Sequence, residues 1–311
     1  MEALREVAEV ELAEPPRASL PARALWRERE LPRLAARADA LLATGPELPF
    51  RRLATPSIVV VHDLFPLTHP ELTGRAKRLR FRAALPFVCS RATAIVCVSE
   101  ATRASLEEHV AAARGKTTVM GEGPSELSPA DPVAAERPYL LYAGELYRRK
   151  NLHTLLAALG ALPDVDLVVV GRARAQTAAA FGRQVRDWGL TDRVRHEGFV
   201  PAERLAGLQA GALAVVLPSL VEGFGRPLLD AMAAGTPALV SDIPALRELA
   251  GGAALLVPDP LDVRAWREAI ERLCGEPELR RELSERGRER AREFAWPRLA
   301  ESMVELARTL G

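Results

Sequence analysis

Short apolar runs rich in β-branched residues alternate along this 311-residue chain with stretches of helical period, and that alternation limits what it can fold into. Runs of four or five residues are too short for buried helices. A strand reads as an unbroken apolar run where a parallel sheet is covered by helices on both faces. The expectation is therefore an α/β protein. The first block of strand candidates is Ala40–Leu42, Ile58–Val61, Ala94–Val98 and Thr117–Met120, few for its length. The second is fuller: Tyr139–Ala143, Leu167–Val170, Val194–Glu197, Ala214–Leu217, Ala238–Val240 and Ala254–Val257. Between them Gly121–Pro138 carries glycines and prolines without period, as interdomain linkers do, so two Rossmann-like domains are expected. Their bounds are placed at 1–125 and 126–295. A charged helix runs from Glu276 to Glu293, and an amphipathic one follows Pro297, so residues 296–311 read as a final helix. Val7–Leu12 alternates and reads as an edge strand.

Charge excludes some partners. With 42 basic and 41 acidic side chains the net charge is +1, so no overall field recruits nucleic acid. Cys89, Cys97 and Cys274 are odd in number and form no C-x-x-C pair, which argues against disulfides or structural zinc and fits a reducing compartment. No apolar run reaches the ~20 residues of a membrane span and the N-terminus is charged, so a cytoplasmic chain is expected, with any membrane contact peripheral.

Ligands of open α/β sheets bind beyond the carboxyl ends of the strands, which singles out two loops of the second block. After Leu217 comes Pro218 to Pro227, with Glu222, Gly223, Phe224 and Gly225, then a helix ending at Gly235. Glycines there let a phosphate approach backbone N–H groups at a helix N-terminus, and Glu222 and Asp230 can both face one crevice. Phe224 has no evident folding purpose. A tight turn with solvated acids stays open as the plainer alternative. The other loop, Gly144 to Asn151, crowds Arg148, Arg149 and Lys150 against a helix N-terminus, which the dipole disfavours unless an anion sits there. Solvated side chains are again the plainer alternative. Gly115-Lys116-Thr117 is not a phosphate loop, since position 110 is valine and a strand follows rather than precedes it. Asp164-Val165-Asp166 lies at the amino end of a strand and reads as a turn rather than a metal site.

The stretch Glu222-Gly223-Phe224-Gly225-Arg226-Pro227-Leu228-Leu229-Asp230, continuing to Pro237, resembles the signature loop of family-4 retaining glycosyltransferases of the GT-B fold. Arg149-Lys150-Asn151, His62-Asp63-Leu64, Val98-Ser99-Glu100 and Phe294-Ala295-Trp296 are similar to further motifs of that family. The resemblance implies two Rossmann-like domains with parallel sheets facing across a cleft, and a C-terminal helix crossing back to the first. It implies that Lys150 and Arg149 neutralise a donor pyrophosphate, that Glu222 contacts the transferred sugar, and that His62 lies near it, these four forming the catalytic set. The implied donor-binding set is Gly144, Gly223, Phe224, Gly225, Arg226, Pro227, Asp230, Val200 and Ser99, although Ser99 is equally explained as an N-cap. Asp230 stands where the family usually has glutamate.

The implied reaction is retaining, needs no metal or cofactor, and takes a GDP- or UDP-sugar, mannose by analogy, to a hydroxyl of a glycan, lipid-linked or small-molecule acceptor. The basic stretch Arg75–Arg82, interleaved with Leu79 and Phe81, could meet an anionic membrane or an acceptor phosphate, and is otherwise a solvated helix face. Relatives begin with a strand and a glycine-rich loop, and nothing before Pro15 resembles that unit, so the first domain reads as short at its start. A silent nucleotide-sugar-binding partner subunit and a GT-B sugar-nucleotide epimerase therefore stay open as alternatives.

Overall fold

The structure is a computed structural model that describes residues 2–15 and 19–311. It divides into two compact units, Met1–Glu122 with Ala295–Gly311, and Gly123–Phe294. In chain order, the first unit runs α1 (Glu2–Val7), α2 (Leu20–Arg29), α3 (Leu31–Ala35), β1 (Leu41–Ala43), β2 (Ser57–Val61), α4 (Phe65–Thr68), α5 (Arg75–Arg91), β3 (Ala94–Cys97), α6 (Glu100–His109) and β4 (Thr117–Val119). The second runs β5 (Tyr139–Ala143), α7 (Leu152–Gly160), β6 (Asp166–Val170), α8 (Ala175–Asp187), β7 (Val194–Gly198), α9 (Ala202–Gly211), β8 (Ala214–Leu217), α10 (Arg226–Ala234), β9 (Ala238–Ser241), α11 (Pro244–Ala250), β10 (Leu255–Val257), α12 (Val263–Gly275) and α13 (Pro277–Ala291). Helix α14 (Trp296–Leu310) closes the chain and belongs to the first unit.

Among the described residues, the first unit has a parallel sheet in the order β1-β2-β3-β4 and the second a parallel sheet in the order β10-β9-β8-β5-β6-β7. The continuous apolar runs have the expected cause. Every residue of β3, β8 and β9 is buried, because helices cover both sheet faces. In the first unit Val59, Val61, Ile95 and Cys97 meet α5 through Leu85, Val88 and Cys89. The opposite face of that sheet, Ile58, Ala94 and Val96, is packed by Met303, Leu306 and Ala307 of α14.

One expected element is overturned. Val7 ends helix α1 and residues 8–12 are irregular, so the alternation of Val7–Leu12 makes no edge strand. Ala3, Leu4 and Val7 share a helical spacing and are half-buried, and α1 lies against α14. A helical seam with a partner prevails over a short alternation of few residues.

The linker reading needs refinement too. Residues 121–138 lack regular structure, yet Val133 N donates to the Gly207 carbonyl at 2.9 Å, which pins the segment along α9. Lys116 explains the rejected phosphate-loop look-alike. Its ammonium donates to the carbonyls of Cys89, Ser90 and Ala92 at 3.1–3.3 Å, closing the C-terminal end of α5.

Candidate active site

Strands β5 and β8 are neighbours, so the loops leaving their carboxyl ends emerge side by side. The Leu220 N–H donates to the Arg149 carbonyl at 2.8 Å and ties the two loops together. Residues Arg148–Lys150 form one 3-10 turn, and Asn151 then takes a left-handed conformation, φ 52°, before α7 begins. Asparagine tolerates that region better than other side chains carrying a Cβ. Here its Nδ2 donates to the Pro260 carbonyl at 2.7 Å and its Oδ1 accepts from Thr154 Oγ1 at 2.8 Å, so the residue that turns the chain is itself fixed.

The crowded cations are resolved from within the chain. Glu222 Oε1 accepts from Lys150 Nζ and from Ser219 Oγ, the latter at 2.6 Å, while Oε2 accepts from Arg149 Nη1 at 3.2 Å. Arg148 is exposed. The Glu222 side chain is 9% exposed, and burial alone would push its carboxyl up. The charges of Lys150 and Arg149, with hydrogen bonds from Lys150 and Ser219, outweigh that and hold it below the ordinary carboxylate range.

Gly225 begins α10 at φ 104°, and a Cβ there would lie 2.4 Å from Leu246 Cδ2. Phe224 does have a folding purpose: it is 7% exposed and meets Phe294 edge-on, with ring centroids 5.8 Å apart. Pro227 is the second residue of α10. One turn on, Asp230 accepts from Ser125 N at 2.6 Å and Ser125 Oγ at 2.8 Å. A cavity of about 280 Å³ opens at the carboxyl ends of β5 and β6, lined among others by Gly144, Val200, Arg226, Pro227 and Asp230. Much of its wall is apolar, including Leu141, Val170 and Val215. Gly171 lets the β5 and β6 loops approach, since a Cβ there would stand 2.0 Å from the Gly144 carbonyl oxygen.

His62 and Ser99 belong to the first unit. His62 Nδ1 pairs with Glu122 Oε1 at 2.8 Å and Nε2 with the Thr44 carbonyl at 2.9 Å. Ser99 is the N-cap of α6, its Oγ accepting from the Thr102 N–H at 3.0 Å. Among the described residues, no group of three or more His, Cys, Asp or Glu side chains is gathered as a metal site requires.

Within the second unit, therefore, Arg149, Lys150 and Glu222 meet directly, and Gly144, Val200, Arg226, Pro227 and Asp230 share one cavity. Sequence reasoning missed Ser219, Ser125, Glu122 and Gly171. Of these only Ser219 left a signal, a hydroxyl three positions before a loop glutamate.

The chain matches the profile described as "Glycosyl transferases group 1" over residues 125–290, and the one described as "Glycosyltransferase Family 4" over residues 2–123. It belongs to the group 1 glycosyl transferases, in the GT-B fold. Among its relatives are the O-antigen chain mannosyltransferase RfbU of Salmonella typhimurium, 28% identical over 69% of this chain and 60% of that one. The O-antigen chain mannosyltransferase B of Escherichia coli is 36% identical over 51% of this chain and 42% of that one. The matched stretch thus spans about half the length of these curated relatives. Among solved structures, sucrose-phosphate synthase from Thermosynechococcus elongatus superposes with a TM-score of 0.80 at 25% identity, covering 96% of this chain and 80% of that one.

Proposed function

We propose that this chain is a retaining glycosyltransferase that takes a sugar from a nucleoside diphosphate sugar, UDP- or GDP-linked, and passes it to a hydroxyl group. The reading is carried by one observation: two cations and a buried carboxylate meet on loops that leave adjacent strands, and the same loops supply Gly144, Arg226 and Pro227 to a nucleotide-sized cavity. In that reading the apolar wall takes the base, Asp230 accepts from the ribose hydroxyls, and the ammonium of Lys150 and guanidinium of Arg149 hold the diphosphate. Glu222 accepts a hydrogen bond from the sugar.

The chemistry asks little of acids and bases. As the bond from the anomeric carbon to the phosphate oxygen breaks, negative charge grows on the departing diphosphate, where Lys150, Arg149 and the N-terminus of α10 stabilise it. The acceptor hydroxyl attacks the face that the leaving group vacates, and its proton passes to the departing phosphate oxygen. Fixed cations of this kind contribute several kcal/mol to such a step. Mannose is the proposed sugar, because two relatives bear mannosyltransferase names. Helix α5 favours an anionic acceptor or lipid surface, with Arg75, Arg80 and Arg82 exposed beside Leu79. Among the described residues no helix is long and apolar enough to cross a membrane.

The test incubates the purified chain with labelled UDP- and GDP-sugars and a panel of hydroxyl acceptors, reading sugar release and transfer. Transfer with retained configuration is expected. Binding without turnover across the panel would identify a silent donor-binding subunit, and a change of configuration within the free sugar nucleotide would identify an epimerase.

A further inference from the structure

A carboxylate offers about four lone-pair sites, and three of those on Glu222 are taken. Oε1 receives Lys150 and Ser219 and Oε2 receives Arg149, which leaves one site on Oε2 for a ligand hydroxyl. Two of the three protein donors are the cations that the proposed reading also assigns to the diphosphate. When a second anion arrives, both are shared and their hold on Glu222 weakens. Ser219 differs on each count. It is neutral, it is fully buried immediately beyond β8, and its one hydroxyl hydrogen is given to Glu222.

We propose that Ser219 is a positioning residue that keeps the Glu222 carboxylate aimed at the sugar while a bound diphosphate draws Lys150 and Arg149 away. The proposal rests on the donor-binding reading above. It separates two roles within one cluster, since the cations act on the diphosphate and the serine acts only through the carboxylate.

The groups that surround Glu222 make the consequences specific. Lys150 and Arg149 face it with positive charge, and Tyr142 of β5 feels its negative charge while donating its own hydroxyl to the Glu145 carbonyl. Removing the serine hydroxyl takes a donor from the ionised carboxylate and leaves every charge in place.

The test compares wild type, Ser219→Ala and Ser219→Thr by calorimetry with UDP and GDP, and by turnover of the matching sugar nucleotide across pH. For Ser219→Ala the affinity for nucleoside diphosphate stays within about threefold of wild type, while kcat falls about 10- to 100-fold, as expected for a lost hydrogen bond to a charged group. The acidic limb of its rate profile moves to higher pH, because the carboxylate has lost a stabilising donor. Ser219→Thr, which keeps the hydroxyl, recovers most of the rate.

An alanine variant with the wild-type rate and acidic limb overturns the inference. So does one that loses nucleoside diphosphate affinity in step with kcat, since that marks a merely structural serine. A wild-type chain that neither binds nor turns over any sugar nucleotide overturns the donor-binding reading itself, an outcome distinct from failure of the alanine variant alone.

Discussion

Lys150 and Glu222, 72 positions apart in the chain, are joined as a largely buried ion pair, with Arg149 on the other carboxylate oxygen. The glutamate thus stands in for the anion that three adjacent cations call for. On the proposed reading, a ligand diphosphate would therefore compete for cations already engaged rather than enter an empty positive site.

Removing the lysine charge separates phosphate binding from nucleoside binding. For Lys150→Ala, affinity for a nucleoside diphosphate falls about 10- to 100-fold, as for a lost charge-assisted contact, while affinity for the nucleoside changes little. Stability falls by roughly 2 kcal/mol, less than the ~3–5 kcal/mol of a fully orphaned buried charge, because Arg149 and Ser219 still serve Glu222. Calorimetry and denaturant midpoints check both, and equal losses for the two ligands contradict the assignment.

Acid should weaken the protein through the same carboxylate. A group whose folded pKa lies below its unfolded value, about 4.3 for glutamate, adds stability that is complete above that value. The gain is lost as pH falls through the folded pKa. Glu222→Gln removes this contribution, so the stability gap between wild type and variant is widest near neutrality and narrows below about pH 4. Urea midpoints between neutral and acid pH measure it, and a gap independent of pH contradicts it.

Two glycines with positive φ should respond differently to alanine. At Gly171, φ 145°, the new Cβ meets the Gly144 carbonyl oxygen at 2.0 Å, and main chain cannot step aside as a side chain can. Gly171→Ala should cost about 3 kcal/mol or more and distort the cavity mouth. At Gly252, φ 86°, nothing lies within 4 Å, so alanine pays only the conformational cost of about 1 kcal/mol. Thermal or denaturant unfolding of the two variants gives the comparison, and equal costs contradict the packing described.

Thiol chemistry tests the first core independently. Burial pushes Cys89 up to about 11 and Cys97 up to about 12, and both are fully enclosed, whereas Cys274 is exposed. An aromatic disulfide reagent should titrate one thiol per folded chain and the remaining two only after unfolding. Prompt reaction of all three contradicts the packing of α5 on β3.

The central strands were legible because burial on both faces writes a strand as an unbroken apolar run. Boundaries moved only slightly, Asp166 opening β6 and Gly198 closing β7. Val7–Leu12 misled because alternation over so few residues carries no information about a partner strand, and α14 offered a helical one. In the site, Arg149, Lys150 and Glu222 were legible as charged candidates on two loops that leave strand carboxyl ends. Their pairing with one another was not, since it depends on β5 and β8 being neighbours. Phe224 looked to have no folding purpose because Phe294, its packing partner, lies 70 positions away. Ser125 was hidden in a segment that reads as linker, yet it holds Asp230.

The central claim is that Lys150 and Arg149 receive the diphosphate of a sugar nucleotide while Glu222 stays aimed at the sugar. A crystal structure of the chain with a bound nucleoside diphosphate tests it most directly. The account predicts phosphate oxygens within hydrogen-bonding distance of Lys150 Nζ and the Arg149 guanidinium, with the ribose beside Asp230. A ligand seated elsewhere, with the Lys150–Glu222 pair untouched, contradicts it.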